Sequence, residues 1–173
     1  LPISYISGSS YGGDERARFA YAELNVPFVS PASGIPGVHR LEFSAAVRGE
    51  DYDSFGKVAT PKLGVIYDPT ADFTFKTSWG KSFKAPTLSQ LYGNKYAYLW
   101  NASAVGASGR PADATVLMSY GGNAGLRPER ARTWTTSLAF HPEALPGLDG
   151  ELTWFDIEYT DRVVLPLNYQ QAL

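Results

Sequence analysis

Residues 58–67 read VATPKLGVIY and residues 73–83 read FTFKTSWGKSF, with the turn sequence DPTAD between them at residues 68–72. In the second stretch, large or β-branched residues alternate with polar or small ones, as in a strand whose successive side chains point to opposite faces. Each stretch has about 10 residues, roughly twice the usual length of a globular strand and close to that of a tilted strand crossing a bilayer. The pair therefore predicts a β-hairpin with one apolar face, of a length that suits a membrane barrel wall.

The same alternation predicts four more strands and the beginning of a seventh. The pattern of the last strand slips near Trp154 and Phe155, which predicts a β-bulge there, and residues 163–165 are predicted to open a seventh strand. A helix would need apolar residues three and four apart, which the second strand lacks. The four strands are Arg16–Val29, Val38–Glu50, Ala131–Phe140 and Gly150–Tyr159.

The connections divide between the two ends of such a sheet. Breaker-rich turns at 30–37, 68–72 and 141–149 fall at one end, and the turn at 51–56 and the connection at 84–128 fall at the other. That connection of about forty residues shows no clear periodicity, which is typical of a functional loop. The sequence thus predicts an all-β, antiparallel up-and-down meander. Alternation alone fits both a barrel wall facing lipid and a soluble sandwich whose second sheet covers the apolar face.

Composition excludes several classes of function. The chain has 173 residues, no cysteine and a net charge of −2. Disulfide frameworks and thiolate metal sites are therefore excluded, and the lack of a basic run predicts no nucleic-acid partner. Asp51 and Asp53 lack the distal carboxylate of a calcium loop, and no nucleophile accompanies an acid–base pair. We predict no metal, no cofactor and no enzyme activity.

Three blocks, which keep the family's order over roughly residues 16–162, resemble the barrel of TonB-dependent outer-membrane receptors. The first is TPKLG at 60–64, DPT at 68–70 and WGKSFKAPTLSQLY at 79–92; the second is NAGLRPER at 123–130; a weaker third is YAELNVP at 21–27. Ala124 stands where the family usually has proline. The positions that match the family's structural motifs are Pro61, Gly64, Phe83, Ala85, Pro86, Leu88, Leu91, Tyr92, Asn123, Leu126, Pro128 and Glu129.

The resemblance implies that residues 1–173 are an incomplete segment, about six or seven strands, of a transmembrane β-barrel in the bacterial outer membrane. It implies no plug domain and no barrel C-terminus within the chain, and an extracellular loop at about 84–128. The side chains expected to face the polar lumen are Lys62, Thr74 and Lys76. Those expected to face lipid are Leu63, Val65, Tyr67, Phe73, Phe75 and Trp79.

The implied function is energised uptake of a siderophore, cobalamin, metal complex or oligosaccharide. The implied partners are the bilayer and, through a plug domain outside this chain, the TonB complex. An isolated segment of this kind is expected to self-associate through its open strand edges.

The long connection is rich in aromatic residues, which stack on sugars or planar chelates and also pack loops against one another. The alternative reading is a soluble all-β carbohydrate-binding domain that uses the aromatic residues of 92–100. The candidate substrate-binding residues are Tyr92, Asn94, Tyr96, Tyr98, Trp100 and Arg110.

Overall fold

Six long strands form one antiparallel sheet in the computed structural model, which describes residues 12–106 and 109–164. A short helix, α1 (Leu88–Tyr92), and two 3-10 turns, Pro31–Ser33 and Ala102–Val105, accompany the strands. The strands are β1 (Ala17–Val29), β2 (Arg40–Tyr52), β3 (Gly56–Asp68), β4 (Phe73–Lys84), β5 (Tyr96–Asn101), β6 (Thr115–Tyr120), β7 (Glu129–Phe140) and β8 (Gly150–Thr160).

The described residues divide into two units. The sheet unit comprises residues 16–84 and 128–161, and its strands lie in the order β1-β2-β3-β4-β7-β8. Every neighbouring pair is antiparallel, so the predicted meander is confirmed. The hairpin unit includes residues 85–127 and holds α1 and the two-stranded sheet β5-β6. Regular structure thus occurs inside the connection whose sequence shows no clear periodicity.

The predicted bulge in the last strand is wrong. β7 and β8 pair without interruption from Arg130–Thr160 to Phe140–Gly150. The pattern slips because Phe155 and Ile157 occupy the otherwise polar face of the sheet. The bulge lies in β1, between Pro27 and Val29, next to a proline that has no N–H to donate to a ladder.

The ends of two predicted elements also change. β2 and β3 extend further into the predicted turn at 51–56, where Gly56 has a φ of 83° that favours glycine. Val163 and Val164 lie in no strand of the described ranges, and Leu165 lies outside the described residues.

The two faces of the sheet differ in character. Phe75 pairs with both Tyr67 and Leu138, and Trp79 pairs with both Leu63 and Trp134. These pairs share what we call the apolar face, and they confirm the predicted grouping of residues 63, 65, 67, 73, 75 and 79. Residues 62, 74 and 76 lie on the opposite, polar face, where Lys62 pairs with Gly80 and Lys76 with Ser137.

The apolar face has no second layer over it. Among the described residues, the buried apolar side chains other than proline are Leu91, Ala102 and Val105, all in the hairpin unit. On the apolar face Phe75 is 42% exposed and Leu152 is 75% exposed. A soluble sandwich would bury these side chains between two sheets. The sheet is therefore a single open layer, and no helix of the described residues has the length and apolarity needed to cross a membrane.

Candidate functional site

Aromatic residues of the hairpin β5-β6 gather on one of its faces. The register pairs Tyr96 with Tyr120, Tyr98 with Met118 and Trp100 with Val116. The ring centroid of Tyr98 lies 6.1 Å from that of Tyr96 and 6.2 Å from that of Tyr120, both in edge-to-face contact. Such contacts add to the energy of area burial and hold the rings in defined orientations. We call Tyr96, Tyr98 and Tyr120 the tyrosine cluster.

The tyrosine cluster is partly open to solvent. Tyr96 is 52% exposed and Trp100 is 39% exposed, whereas Tyr98 and Tyr120 are half-buried. These residues present flat apolar surfaces, and the tyrosines add hydroxyl groups at the rim. That combination can stack on a planar ligand and donate hydrogen bonds to it. The opposite face of the hairpin carries the paired and exposed Leu99 and Leu117.

The base of the hairpin is closed by two glycine-containing segments. Gly122 N donates to Gly93 O at 2.9 Å, and Asn123 N donates to Gln90 O at 2.7 Å. A Cβ added to Gly122 would lie 2.7 Å from Leu91 O, which is closer than side-chain atoms approach. Glycine at this position is thus required by the close approach of the two backbones. This clasp positions Tyr92 and Asn94, which lie beside Gly93.

Helix α1 enters the clasp through a capping box. Thr87 N donates to Gln90 Oε1 at 2.8 Å, and Gln90 N donates to Thr87 Oγ1 at 3.3 Å, so each side chain satisfies the other's backbone. Pro86 has no N–H to donate to a ladder, so the preceding strand does not continue through it. It also biases Ala85 away from the helical conformation, so the helix begins after the proline. Leu91, on the inner side of the helix, is only 3% exposed.

The far end of the hairpin is folded by Asn101. Its Oδ1 accepts from Ser103 N at 2.9 Å, and its Nδ2 donates to Ala112 O at 3.0 Å. Ala102 and Val105, the first and last residues of the 3-10 turn that Asn101 caps, are buried. Arg110, exposed, belongs to this end, whereas Tyr92 and Asn94 belong to the base. β5 has 6 residues, which puts the two ends about 17 Å apart.

The six predicted ligand-contacting residues are therefore not one constellation. The structure brings Tyr96 and Tyr98 together and separates the base residues from Arg110. It also adds Tyr120, which the sequence reasoning missed. The available signal was the alternation in TVLMSY at 115–120, whose Val116, Met118 and Tyr120 share a face.

The remaining family-motif positions have structural roles. Gly64 pairs with Ser44 and Ser78, and a Cβ there would lie 2.6 Å from Ser44 Oγ. Pro61 lies in β3 opposite Val47. Phe83 lies in edge-to-face contact with Tyr52 at 5.9 Å. In the second block Asn123 Oδ1 accepts from Gly125 N at 2.9 Å; Leu88 and Leu126 are half-buried and Pro128 is buried.

Glu129 forms a buried polar contact where the chain re-enters the sheet. It is 6% exposed. Its Oε2 accepts from the Tyr159 hydroxyl at 2.7 Å and lies 3.5 Å from Lys84 Nζ. A buried carboxylate needs such partners to offset its desolvation. This contact ties the first residue of β7 to the last residue of β4 and to β8.

The described residues contain no group of three or more histidine or acidic side chains placed to hold a metal ion. The geometry of the hairpin unit is that of a contact surface. It offers aromatic stacking and hydrogen bonding.

Comparisons with protein families and with individual proteins agree on one family. The family model described as TonB dependent receptor-like, beta-barrel, matches residues 2–172. The probable TonB-dependent siderophore receptor PirA of Acinetobacter baumannii is 27% identical over 168 residues, covering 91% of this chain and 20% of that protein. The vitamin B12 transporter BtuB of Photobacterium profundum is 26% identical over 133 residues, covering 77% of this chain and 16% of that protein. This chain spans about a fifth of the length of these relatives.

Solved structures share the fold. The crystal structure of the siderophore receptor PirA from Acinetobacter baumannii matches with a TM-score of 0.64 at 23% identity, covering 87% of this chain and 20% of that chain. The crystal structure of PirA from Pseudomonas aeruginosa matches with a TM-score of 0.63 at 23% identity, covering 89% of this chain and 26% of that chain. These matches confirm the predicted fold class, an open antiparallel sheet like part of a receptor barrel.

The relatives are named as receptors and a transporter, and none as an enzyme, which confirms the prediction on enzyme activity. Nothing in these matches supports the alternative of a soluble carbohydrate-binding domain. The family model covers nearly the whole chain, and the blocks TPKLG, WGKSFKAPTLSQLY and NAGLRPER fall within it. This chain belongs to the TonB-dependent receptor β-barrel family, the outer-membrane barrel proteins of bacteria.

Proposed function

We propose that this chain forms barrel wall and a ligand-contacting extracellular segment of a receptor that takes up a scarce ligand with energy from the TonB complex. The observation that carries the proposal is the uncovered apolar face of a sheet whose strands have 11 to 13 residues. A face of that kind is stable where lipid covers it. The bilayer is then the first partner, and the TonB complex acts through a plug domain.

The connections support one orientation. Three connections, at 30–39, 69–72 and 141–149, lie at one end of the sheet; the turn at 53–55 and the long connection between β4 and β7 lie at the other. Membrane barrels of this class have short periplasmic turns and long extracellular loops. We therefore assign residues 85–127 to the extracellular side.

The tyrosine cluster and its neighbours supply the proposed ligand contacts. We assign ligand contact to Tyr92, Asn94, Tyr96, Tyr98, Trp100 and Arg110, and add Tyr120 because it packs against Tyr98. Relatives are named for siderophores and for vitamin B12, so the proposed ligand is a metal chelate of one of these two kinds. Exposed aromatic rings suit such ligands because chelates offer flat, partly apolar surfaces.

The proposal is tested with the full-length receptor that contains this chain, expressed on cells. The probes are radiolabelled cobalamin and a panel of ferric siderophores, and the measurement is the Kd on whole cells. The double variant Tyr96→Ala/Tyr98→Ala is compared with Leu99→Ala/Leu117→Ala, which removes side chains from the opposite face of the same hairpin. We expect the tyrosine variant to lose at least about tenfold in affinity, since anchoring aromatic residues commonly cost over 1 kcal/mol on truncation.

The leucine variant is the matched control and should bind within about twofold of the wild type, since rim contacts contribute little. Equal losses in both variants would mean that the hairpin acts only through its fold. No loss in the tyrosine variant, with any probe that the wild type binds, would contradict the assignment of the ligand contacts.

A further inference from the structure

The apolar face of the sheet changes from aromatic to cationic along its strands. Trp79 pairs with Trp134 across β4 and β7, and both lie on this face. Two residues further towards the hairpin unit, Lys81 pairs with Arg132 on the same face. Strand geometry separates these two rows by about 7 Å. We call Lys57, Lys81, Arg130 and Arg132, all on this face by register, the cationic band.

The cationic band lines a cavity. Residue-by-residue pairing of β3 with β4 runs from Tyr67–Phe75 to Lys62–Gly80. Beyond it, a cavity of about 420 Å³ opens between residues 57–60 of β3 and residues 81–83 of β4. All four members of the cationic band line this cavity, and its carboxylate is Glu158. The cavity is large enough for a phosphate group and part of the sugar or glycerol that carries it.

The charge in this cavity is only partly neutralised. Arg132 Nη2 lies 2.6 Å from Glu158 Oε2, and both side chains are about half exposed. In residues 12–106 and 109–164, Lys57, Lys81 and Arg130 form no ion pair with an acidic side chain. The Lys81 ammonium lies 5.7 Å from the ring centroid of Trp79, within the range of a cation–π contact. Asp51 lies across from Lys57 in the register, so the four cations of the band outnumber the two nearby carboxylates, Asp51 and Glu158, and the band keeps an excess of positive charge.

We propose that the cationic band binds the phosphate groups of lipid headgroups in the outer leaflet. The inference rests on the proposed function, which puts the apolar face in lipid and the hairpin unit outside the cell. Tryptophans on a barrel surface lie at the headgroup level, so the next row of side chains lies where headgroup phosphates begin. Arginine and lysine hold phosphate through short charge-assisted hydrogen bonds. A headgroup, rather than a free anion, is the ligand because the cavity adjoins the lipid-facing surface.

The test uses the full-length receptor, purified in detergent and stripped of lipid. The probe is lipid A carrying both phosphates, and native mass spectrometry measures its apparent Kd. The double variant Lys81→Gln/Arg130→Gln is compared with Lys62→Gln/Lys76→Gln, which removes two positive charges from the polar face of β3 and β4. We expect the first variant to lose about 25-fold in affinity, since each cation near an anionic lipid surface contributes about fivefold. The control should change less than twofold.

The controls separate the sources of the ligand. Lipid A without its phosphates should bind both proteins equally weakly, and inorganic phosphate at equal concentration should not displace the lipid. Equal affinity of the two double variants for the phosphorylated lipid would overturn the proposal, as would binding that survives loss of the phosphates. Displacement by inorganic phosphate would show a free-anion site instead. A failure of the proposed ligand contacts would be seen only in the Tyr96→Ala/Tyr98→Ala experiment, because that hairpin contributes no residue to this cavity.

Discussion

The sheet unit and the hairpin unit differ in how they bury their apolar side chains. The sheet unit has long, regularly paired strands in which no apolar side chain is buried, and all residues of β8 are exposed. The hairpin unit has short strands of 6 residues, yet it holds the fully buried Leu91, Ala102 and Val105 and closes both of its ends with turn hydrogen bonds. The sheet thus depends on its surroundings for burial, whereas the hairpin unit supplies its own small core.

The largest expected effect concerns the sheet alone. Residues 1–173 expressed as a separate chain should self-associate in detergent-free buffer, because β1 and β8 are open edges and the apolar face is uncovered. Light scattering with and without detergent measures this. Detergent should reduce the particle size by covering the apolar face. A monodisperse monomer in plain buffer would contradict the dependence of the sheet on its surroundings.

A charge placed on each face of the sheet sharpens the comparison. Val65 and Ile66 are adjacent, half-buried and on opposite faces, and Ile66 pairs with Glu42. In the membrane-inserted receptor, Val65→Arg should lower the free energy of unfolding by about 2–4 kcal/mol, the cost of a lipid-facing arginine near the midplane. Ile66→Arg is the matched control and should cost clearly less, because position 66 lies on the polar face, between Glu42 of β2 and Lys76 of β4. Urea or guanidinium unfolding in lipid vesicles gives both values; equal costs would argue against a lipid-facing apolar face.

Disrupting the clasp is expected to lower the stability of the hairpin unit alone. Gly122→Val should destabilise residues 85–127 by about 1–3 kcal/mol, a typical cost of overpacking, because its Cβ would meet Leu91 O at 2.7 Å. Gly49→Val in β2 is the control, since no atom lies within 4 Å of an added Cβ there. Limited proteolysis of intact cells should cut the first variant faster within 85–127. If Gly122→Val resisted proteolysis as well as the wild type, the two backbones could separate without destabilising residues 85–127.

The smallest expected effect concerns Glu129. Glu129→Gln keeps the shape of the side chain and weakens the contact with Lys84 Nζ, so we expect a loss of about 1 kcal/mol in the free energy of unfolding. The exposed Glu151→Gln in β8 is the control, with a change near zero. Equilibrium unfolding in lipid vesicles compares the two. A loss of the same size in both variants would mean that the contacts of Glu129 do not specifically stabilise this end of the sheet.

The two regions also differ in how well the sequence predicts them. The six sheet strands are predictable because side-chain alternation over ten or more residues excludes a helix. The hairpin is not, because its two short strands are separated by a turn segment and each offers only three residues per face. The ties that position the loop, such as Tyr159 to Glu129, join residues far apart in the chain. Sequence spacing carries no signal for such partners.

The candidate site shows the same limit. The aromatic run 92–100 identifies a contact surface, and its residue types indicate stacking. Which rings meet depends on the register of β5 with β6, which brings Tyr120 to Tyr98 and leaves Arg110 at the far end. The apparent slip at Trp154 and Phe155 has a related cause, because an apolar residue on a polar face resembles a bulge when only the sequence is read.

The central claim is that lipid covers the apolar face of the sheet. Since residues 1–173 contain no cysteine, spin labels on single cysteines at positions 73–80 of the full-length receptor in lipid test it directly. Accessibility to oxygen, which partitions into lipid, should be high at 73, 75, 77 and 79, and accessibility to a water-soluble nickel chelate should be higher at 74, 76, 78 and 80. Uniform values along the segment, or low oxygen accessibility at 75 and 77, would contradict the claim.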